Sequence, residues 1–337
     1  MKNNSLKKLI IIGSDFSLNS GEGILGNNFI KLYSSINTKM KFKKKSFFFN
    51  LPNRNGFLHK YLGPIIMSLY VRFNPKSRFI FVNYLPLWNF LVFLILPKHT
   101  IIGPVTGSNI VKENSFLNII VRKYFFPIFY KISLNIISGK FKKVIFSTSL
   151  LKNNIKVTNH NILFNYVFNC FNFKKKNKLK TSKKKYDLIF YFRKHKNKYD
   201  KNLHKIIKNI SLTKKIAVIG DKFIFPSKNI FNFGYINRIS AKKVMRASKF
   251  AICGPENLYS LFAIDGYNSG CNLIVEKKLK NYEFAKSKRF IFYKYEYSNK
   301  NILILKKILN KFSLRNDLEF EKKVIKKKEE IKKFIQF

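Results

Sequence analysis

Residues 249–275 carry the pattern best suited to chemistry. Lys249 to Cys253 is a short apolar run and Gly254-Pro255 breaks it. Leu258, Leu261, Phe262 and Asp265 then recur at helical spacing, before Gly270 and a second apolar run from Asn272 to Val275. This reads as strand, loop, helix, glycine stop and strand. A helix starting at such a loop offers unpaired backbone N–H groups to an anion, here around Leu258, Tyr259 and Ser260. A carboxylate one to two turns later, the position of Asp265, reaches a ribose hydroxyl.

The stretch resembles the carboxy-terminal signature of retaining GT-B glycosyltransferases of the large family 4 type. In that signature a glutamate, seven residues, a second glutamate and an A-M-A-x-G-x-P-V-V run surround the nucleotide-sugar. Asp265 stands at the second glutamate, five residues before Gly270. Strict spacing puts Asn257 at the first, with Glu256 one residue earlier. The resemblance implies that Asp265 holds the ribose and that Glu256 and Asn257 face the sugar, Glu256 with Arg193 and Lys198 in the catalytic set. Arg193 and Lys198 stand five residues apart after the apolar run Tyr186 to Phe192, as in the family's G-R-x-x-x-x-K-G loop, which grips the donor diphosphate; the flanking glycines are absent here. The physics agrees with that role. A pyrophosphate leaving group gains negative charge as the glycosidic bond breaks, and two fixed cations stabilise it without a metal.

The amino-terminal half holds further candidates. Lys8 to Gly13 reads as a buried strand, followed by Gly21, Gly23 and Gly26 in G-x-G-x-x-G spacing before a helical pattern of Phe29, Ile30, Leu32 and Tyr33. A dinucleotide fingerprint follows its strand at once and ends its second strand in an acid. Here seven residues intervene, and the expected second strand, Ser46 to Phe49, ends in Asn50, which argues against NAD. The resemblance instead implies a glycine-bearing loop that faces donor and acceptor, with Gly23 toward the donor and Gly26 toward the acceptor. A second loop, Gly103 to Asn109, offers a sugar the hydroxyl of Thr106, the backbone of Gly107 and the amide of Asn109, and it resembles a G-P-I-T-G-G loop of the same enzymes.

The elements that must position these residues alternate along the chain. Helices are expected from Leu58 to Phe73, Leu87 to Leu96 and across 115–138, the last broken at Pro127. Strands are expected at Phe79 to Asn83, Thr100 to Ile102, Lys143 to Ser147 and Lys215 to Gly220, and a helix capped by Ser240 runs to Ser248. Repeated strand–helix units imply parallel sheets covered on both faces. The expected fold is α/β of GT-B type, two Rossmann-like domains whose parallel sheets face a central cleft. The expected divisions are an acceptor domain over 1–165, a basic linker over 166–185, a donor domain over 186–315 and a basic helix over 316–337.

Charge and composition bound the partners. The formal charge is +51 with 46% hydrophobic residues over 337, enough to build cores in both domains. The lysines are spread over the whole chain together with Asn, Ile and Phe, the pattern of an AT-rich coding bias, so nucleic acid is not the expected partner. Attraction to an anionic membrane is compatible with the charge. Cys170, Cys253 and Cys271 form no paired spacing, which argues against zinc and disulfides and fits a reducing cytoplasm. Phe79 to Pro97 is uncharged over 19 residues but is interrupted by Asn83, Pro86 and Asn89, and it reads as strand, loop and helix rather than a span. The expected function is transfer of a sugar, with retention, from a nucleotide-sugar to a cell-surface glycan or lipid-linked acceptor of lipopolysaccharide, O-antigen or capsule type. No cofactor or metal is expected, and location is cytoplasmic, peripheral on the inner face of the plasma membrane. The alternatives are an inactive GT-B-like binding protein at the membrane, a nucleic-acid-binding protein and a nucleotide-sugar epimerase.

Overall fold

Leu9–Gly13 (β1), Phe42–Ser46 (β2), Arg78–Val82 (β3), Ile101–Val105 (β4), Lys143–Phe146 (β5) and Ile162–Leu163 (β6) pair into one parallel sheet. Their order is β2-β1-β3-β4-β5-β6. The computed structural model of the chain describes residues 9–13, 16, 21–36, 42–46, 57–74, 78–82, 87, 89–105, 124–155, 161–173, 184–194, 200–313 and 317–336. A second parallel sheet is built from Tyr186–Phe192 (β7), Ile216–Gly220 (β8), Ile230–Asn232 (β9), Ser248–Ile252 (β10), Asn272–Glu276 (β11) and Phe290–Tyr293 (β12). Its order is β12-β11-β10-β7-β8-β9, so the chain reverses direction across the sheet between β7 and β10. Two compact units result, dividing at Phe168 and Asn169, with the residues from Lys328 onward counted with the first.

The helices of the first unit are Gly21–Ile36 (α1), Phe57–Arg72 (α2), Phe90–Ile95 (α3) and Phe126–Lys140 (α4). Alternate strand residues Ile10, Ile12, Phe79, Phe81, Ile102 and Val144 form a core with Met67, Val92, Phe93 and Leu134. The second unit adds Lys201–Ser211 (α5), Arg238–Arg246 (α6), Leu261–Asn268 (α7) and Asn299–Asn310 (α8). Helix α5 shows how local sequence makes such an element. Asp200 caps it by accepting the Leu203 N–H at 2.7 Å, and Leu203, Ile206, Ile207 and Ile210 bury one apolar stripe. Each buried side chain contributes about 1.5–3 kcal/mol. The final helix, Leu318–Ile335 (α9), buries Phe320, Val324, Ile331 and Ile335.

Several elements differ from the sequence expectation. Helix α1 starts at Gly21, so Gly23 and Gly26 lie inside its first turns rather than in a loop. The cost of glycine in a helix, about 1 kcal/mol each, is offset by burial of Ile24, Leu25, Phe29 and Tyr33 along the same helix. Strand β2 comes earlier than expected, at Phe42–Ser46, and lies at the sheet edge, where lysine-rich strands are the usual occupants. Pro127 falls in the first turn of α4, where a residue has no intrahelical partner for the N–H that proline lacks; residues 115–123 of the helical stretch expected before it lie outside the described residues. Asn237 caps α6, its side chain accepting the Ser240 N–H at 2.9 Å, so the helix starts two residues before the expected cap. Tyr166–Cys170 is a 3-10 turn with Tyr166 and Phe168 buried, so the start of the expected linker is packed structure; residues 174–183 of it lie outside the described residues. The uncharged stretch after Arg78 forms β3 and α3, and no described helix is long and apolar enough to cross a membrane.

Candidate functional site

In a parallel sheet of this kind a ligand binds beyond the carboxyl ends of the strands where strand order reverses. In the second unit that point is between β7 and β10, which pair with Phe190 opposite Ile252. The chain leaving β7 begins with Arg193 and Lys194, and the chain leaving β10 with Cys253, Gly254, Pro255, Glu256 and Asn257. Two sequence-expected groups therefore emerge side by side.

The β7 end is braced from below and from the side. Phe192 stacks on His204 with ring centroids 5.5 Å apart, and Phe223 closes edge-on against both. Tyr191 stacks on Phe262 of α7 and lies under the Arg193 guanidinium, 5.8 Å from its ring centre. Gly220, at φ +99°, ends β8 and hands the chain to Asp221. One Asp221 oxygen accepts the Lys194 N–H at 2.6 Å and the other the Tyr235 hydroxyl at 2.7 Å. The Lys194 N–H, then the Tyr235 hydroxyl, hold this carboxyl below its ordinary range. Lys198 lies outside the described residues, as do Thr106, Gly107 and Asn109.

Beyond β10 the expected donor loop is pinned by its own side chains. Asn257 Oδ1 accepts the Tyr259 N–H at 3.0 Å, an Asx turn. Leu258 and Tyr259 are buried, and the Tyr259 hydroxyl accepts the Phe284 N–H at 2.9 Å, so neither side chain is open to a ligand, and the Tyr259 N–H expected to face an anion is taken by Asn257. Burial pushes the Tyr259 phenol well above its ordinary range. Ser260 caps α7, its hydroxyl accepting the Ala263 N–H at 3.2 Å. Glu256 folds back over Gly254, and its Oε2 is buried with no hydrogen-bond partner among the described residues.

Asp265 sits midway along α7 and is 5% exposed. Arg238, the first residue of α6, donates to it through Nε at 2.6 Å and Nη2 at 2.8 Å, and Lys242 approaches at 3.2 Å. The Asp265 hydrogen bond raises Arg238 above its ordinary range despite burial. A carboxylate has about four lone-pair sites, which leaves Oδ2 able to accept one more donor such as a hydroxyl. Neither cation was singled out by sequence reading. The signal available was the Arg238–Lys242 spacing of four, which puts both on one helix face. Among the described residues no group of three His, Cys, Asp or Glu side chains is placed to hold a metal ion.

No protein-family model matches the sequence, and no curated protein matches it. Solved structures match its shape. Staphylococcus aureus MnaA, solved with UDP, superposes over 90% of this chain and 88% of its own, at 11% identity and a TM-score of 0.52. The Methanocaldococcus jannaschii UDP-GlcNAc 2-epimerase, solved with UDP-GlcNAc and UDP, superposes over 92% and 95%, at 12% identity and a TM-score of 0.51. Anabaena HepE, solved with UDP-glucose, superposes over 90% and 88%, at 10% identity and a TM-score of 0.50. The fold is GT-B. Both units are the Rossmann-like halves of that fold, and the GT-B halves seen here are the ones expected from residues 249–275 and the alternating strand–helix pattern.

Proposed function

We propose that this GT-B chain transfers a sugar from a nucleoside-diphosphate donor, in the first instance a UDP-sugar, to a glycan or lipid-linked acceptor, with retention. The observation that carries the reading is that the segments bearing Arg193 and bearing Glu256 and Asn257 leave the neighbouring strands β7 and β10 at the reversal, with the Asp265 ion pair on the helix that follows. Three similar folds solved with UDP or UDP-sugars supply the choice of uridine.

In this reading Arg193 and Lys198 bind the diphosphate and stabilise its growing charge, which needs no metal. Asp265 accepts a ribose hydroxyl on its remaining lone pair, oriented by Arg238 and Lys242. Glu256 and Asn257 contact the sugar, while Thr106, Gly107 and Asn109 serve the acceptor. The acceptor hydroxyl attacks from the face that the nucleotide leaves, and the leaving phosphate takes its proton. The protein supplies positioning and electrostatics.

One observation favours a second reading: a similar fold is that of a UDP-GlcNAc 2-epimerase. An epimerase converts its nucleotide-sugar with no acceptor present. The test is thermal unfolding with UDP, GDP, ADP, dTDP and CMP, then turnover of the responding nucleotide-sugar with and without acceptor. A ligand at 100 times its Kd stabilises the fold by about 2.7 kcal/mol. Stabilisation by UDP that Arg193→Ala abolishes supports the proposal. Failure of every nucleotide to stabilise the wild type sinks both readings, and conversion without acceptor decides for the second.

A further inference from the structure

Helices α2, α3 and α4 lie side by side on one face of the first sheet, with α3 between the other two. Their inner sides join the core. Their outer sides are apolar as well. On α2 and the residue just past it, Leu62, Ile66, Leu69 and Phe73 recur at spacings of four, three and four, a single helical stripe, and all are exposed, Phe73 by 77%. Leu91 and Leu94 continue the surface on α3. Tyr124, Phe125, Ile128 and Ile132 extend it along α4 and the turn before it. Exposed apolar side chains gathered on three adjacent helices mark an interaction surface.

The surrounding charge identifies what covers it. From Gly23 to Lys112, and again from Asn114 to Tyr186, the chain contains no acidic residue. Arg72 and Lys131 are exposed beside the apolar side chains. Arg72 Nη1 donates to the Ile95 carbonyl at 3.3 Å, and Lys140 Nζ donates to those of Phe93 and Leu94 at 3.0 and 2.6 Å, which fixes two cations at the carboxyl end of α3. A second copy docked symmetrically on this face would bring cations together with no carboxylate on the three helices to meet them. An anionic lipid headgroup layer over hydrocarbon answers both features.

We propose that the outer face of α2, α3 and α4 lies on an anionic bilayer, its apolar side chains entering the headgroup boundary and Arg72, Lys131 and Lys140 meeting lipid phosphates. The chain lies on the membrane by this face and does not cross it with any described helix.

The experiment is cosedimentation of the full chain with phosphatidylcholine vesicles, with and without phosphatidylglycerol, in the absence of nucleotide. Binding is expected to the phosphatidylglycerol vesicles, weakening about tenfold or more in Ile66→Asp, Leu94→Asp and Ile128→Asp. Leu212→Asp places the same charge on a comparably exposed leucine of the second unit and is expected to bind as the wild type does. Thermal unfolding of each variant shows that it is folded, and stabilisation by UDP reports on the donor site separately. Equal binding by all four variants overturns the proposal, as does a wild type indifferent to phosphatidylglycerol. A concentration-dependent dimer lost in the same three variants, without vesicle binding, assigns the face to a second copy and overturns it too.

Discussion

Arg238 and Asp265 lie 27 residues apart on two helices and meet in a two-point ion pair at 2.6 and 2.8 Å. A carboxylate this deeply buried is retained only when cations and hydrogen bonds replace water. The pair therefore ties the first turn of α6 to the middle of α7, beside the strand reversal at which the donor is proposed to bind.

Breaking that pair separates structure from ligand binding. Arg238→Met is expected to destabilise the second unit by about 1–3 kcal/mol in urea unfolding, moderated by Lys242, because a buried carboxylate loses its best donor. Asp265→Asn keeps the shape and loses the charge. Its stabilisation by UDP is expected to fall more than its stability does. A variant that unfolds earlier yet gains the full increment from UDP would remove Asp265 from the donor site.

Gly254 offers a quieter probe of Glu256. A Cβ at this position would stand 2.1 Å from Glu256 Oε2, the far end of a flexible side chain, so the carboxylate turns away while the backbone stays. Gly254→Ala is expected to change stability by less than about 0.5 kcal/mol. Turnover of a UDP-sugar is expected to drop about tenfold, the loss of one roughly 1.4 kcal/mol contact, with UDP stabilisation intact. Unchanged turnover would show that Glu256 does not act on the sugar.

At Gly220 the obstacle is backbone. Its φ of +99° and a Cβ position 2.3 Å from the Phe192 carbonyl oxygen leave no room for a side chain. Gly234, also left-handed at φ +67°, has open space around the same point. Gly234→Ala is expected to cost about 1–2 kcal/mol of backbone strain alone. Gly220→Ala should cost more in the same unfolding measurement, and should weaken the UDP response by shifting Asp221 and the Lys194 N–H that it holds. Equal costs at the two sites would argue against the close approach.

The acid side of the stability curve has an identified contributor. Asp187 accepts from Lys249 Nζ at 2.8 Å and from the Lys215 N–H at 3.0 Å. Burial pushes its carboxyl up, but these hydrogen bonds and the charges of Lys249 and Lys214 outweigh burial and leave it below the ordinary value. A carboxyl depressed in the folded state stabilises above its unfolded pKa of about 3.9, and that stabilisation is lost as pH falls through the folded value. Asp187→Asn is therefore expected to lower stability at pH 6 and to narrow the gap from wild type below about pH 4, read from urea midpoints across that range. A gap that stays constant with pH would remove Asp187 from the acid response.

Much of the second unit was legible in the sequence because its signals are local. Tyr186–Phe192 stands out as an apolar run, Gly254-Pro255 as a break, and Gly270, at φ +84°, as a helix stop. The spacing of Asn257, Asp265 and Gly270 marked the loop that the fold sets beside β7. Glycines mislead at Gly23 and Gly26, where burial of Phe29 and Tyr33 decides for a helix, and Ser240 and Asn237 are both competent caps that only packing distinguishes. Chain order alone determined the alternation of strands and helices, and with it two parallel sheets. Tertiary structure alone decided which strands became neighbours at the reversal, that Arg238 closes on Asp265, and that α2, α3 and α4 turn apolar sides outward. Periodicity records that a side chain is apolar or charged and how often it recurs, whereas its partner is set by the approach of segments far apart in the chain.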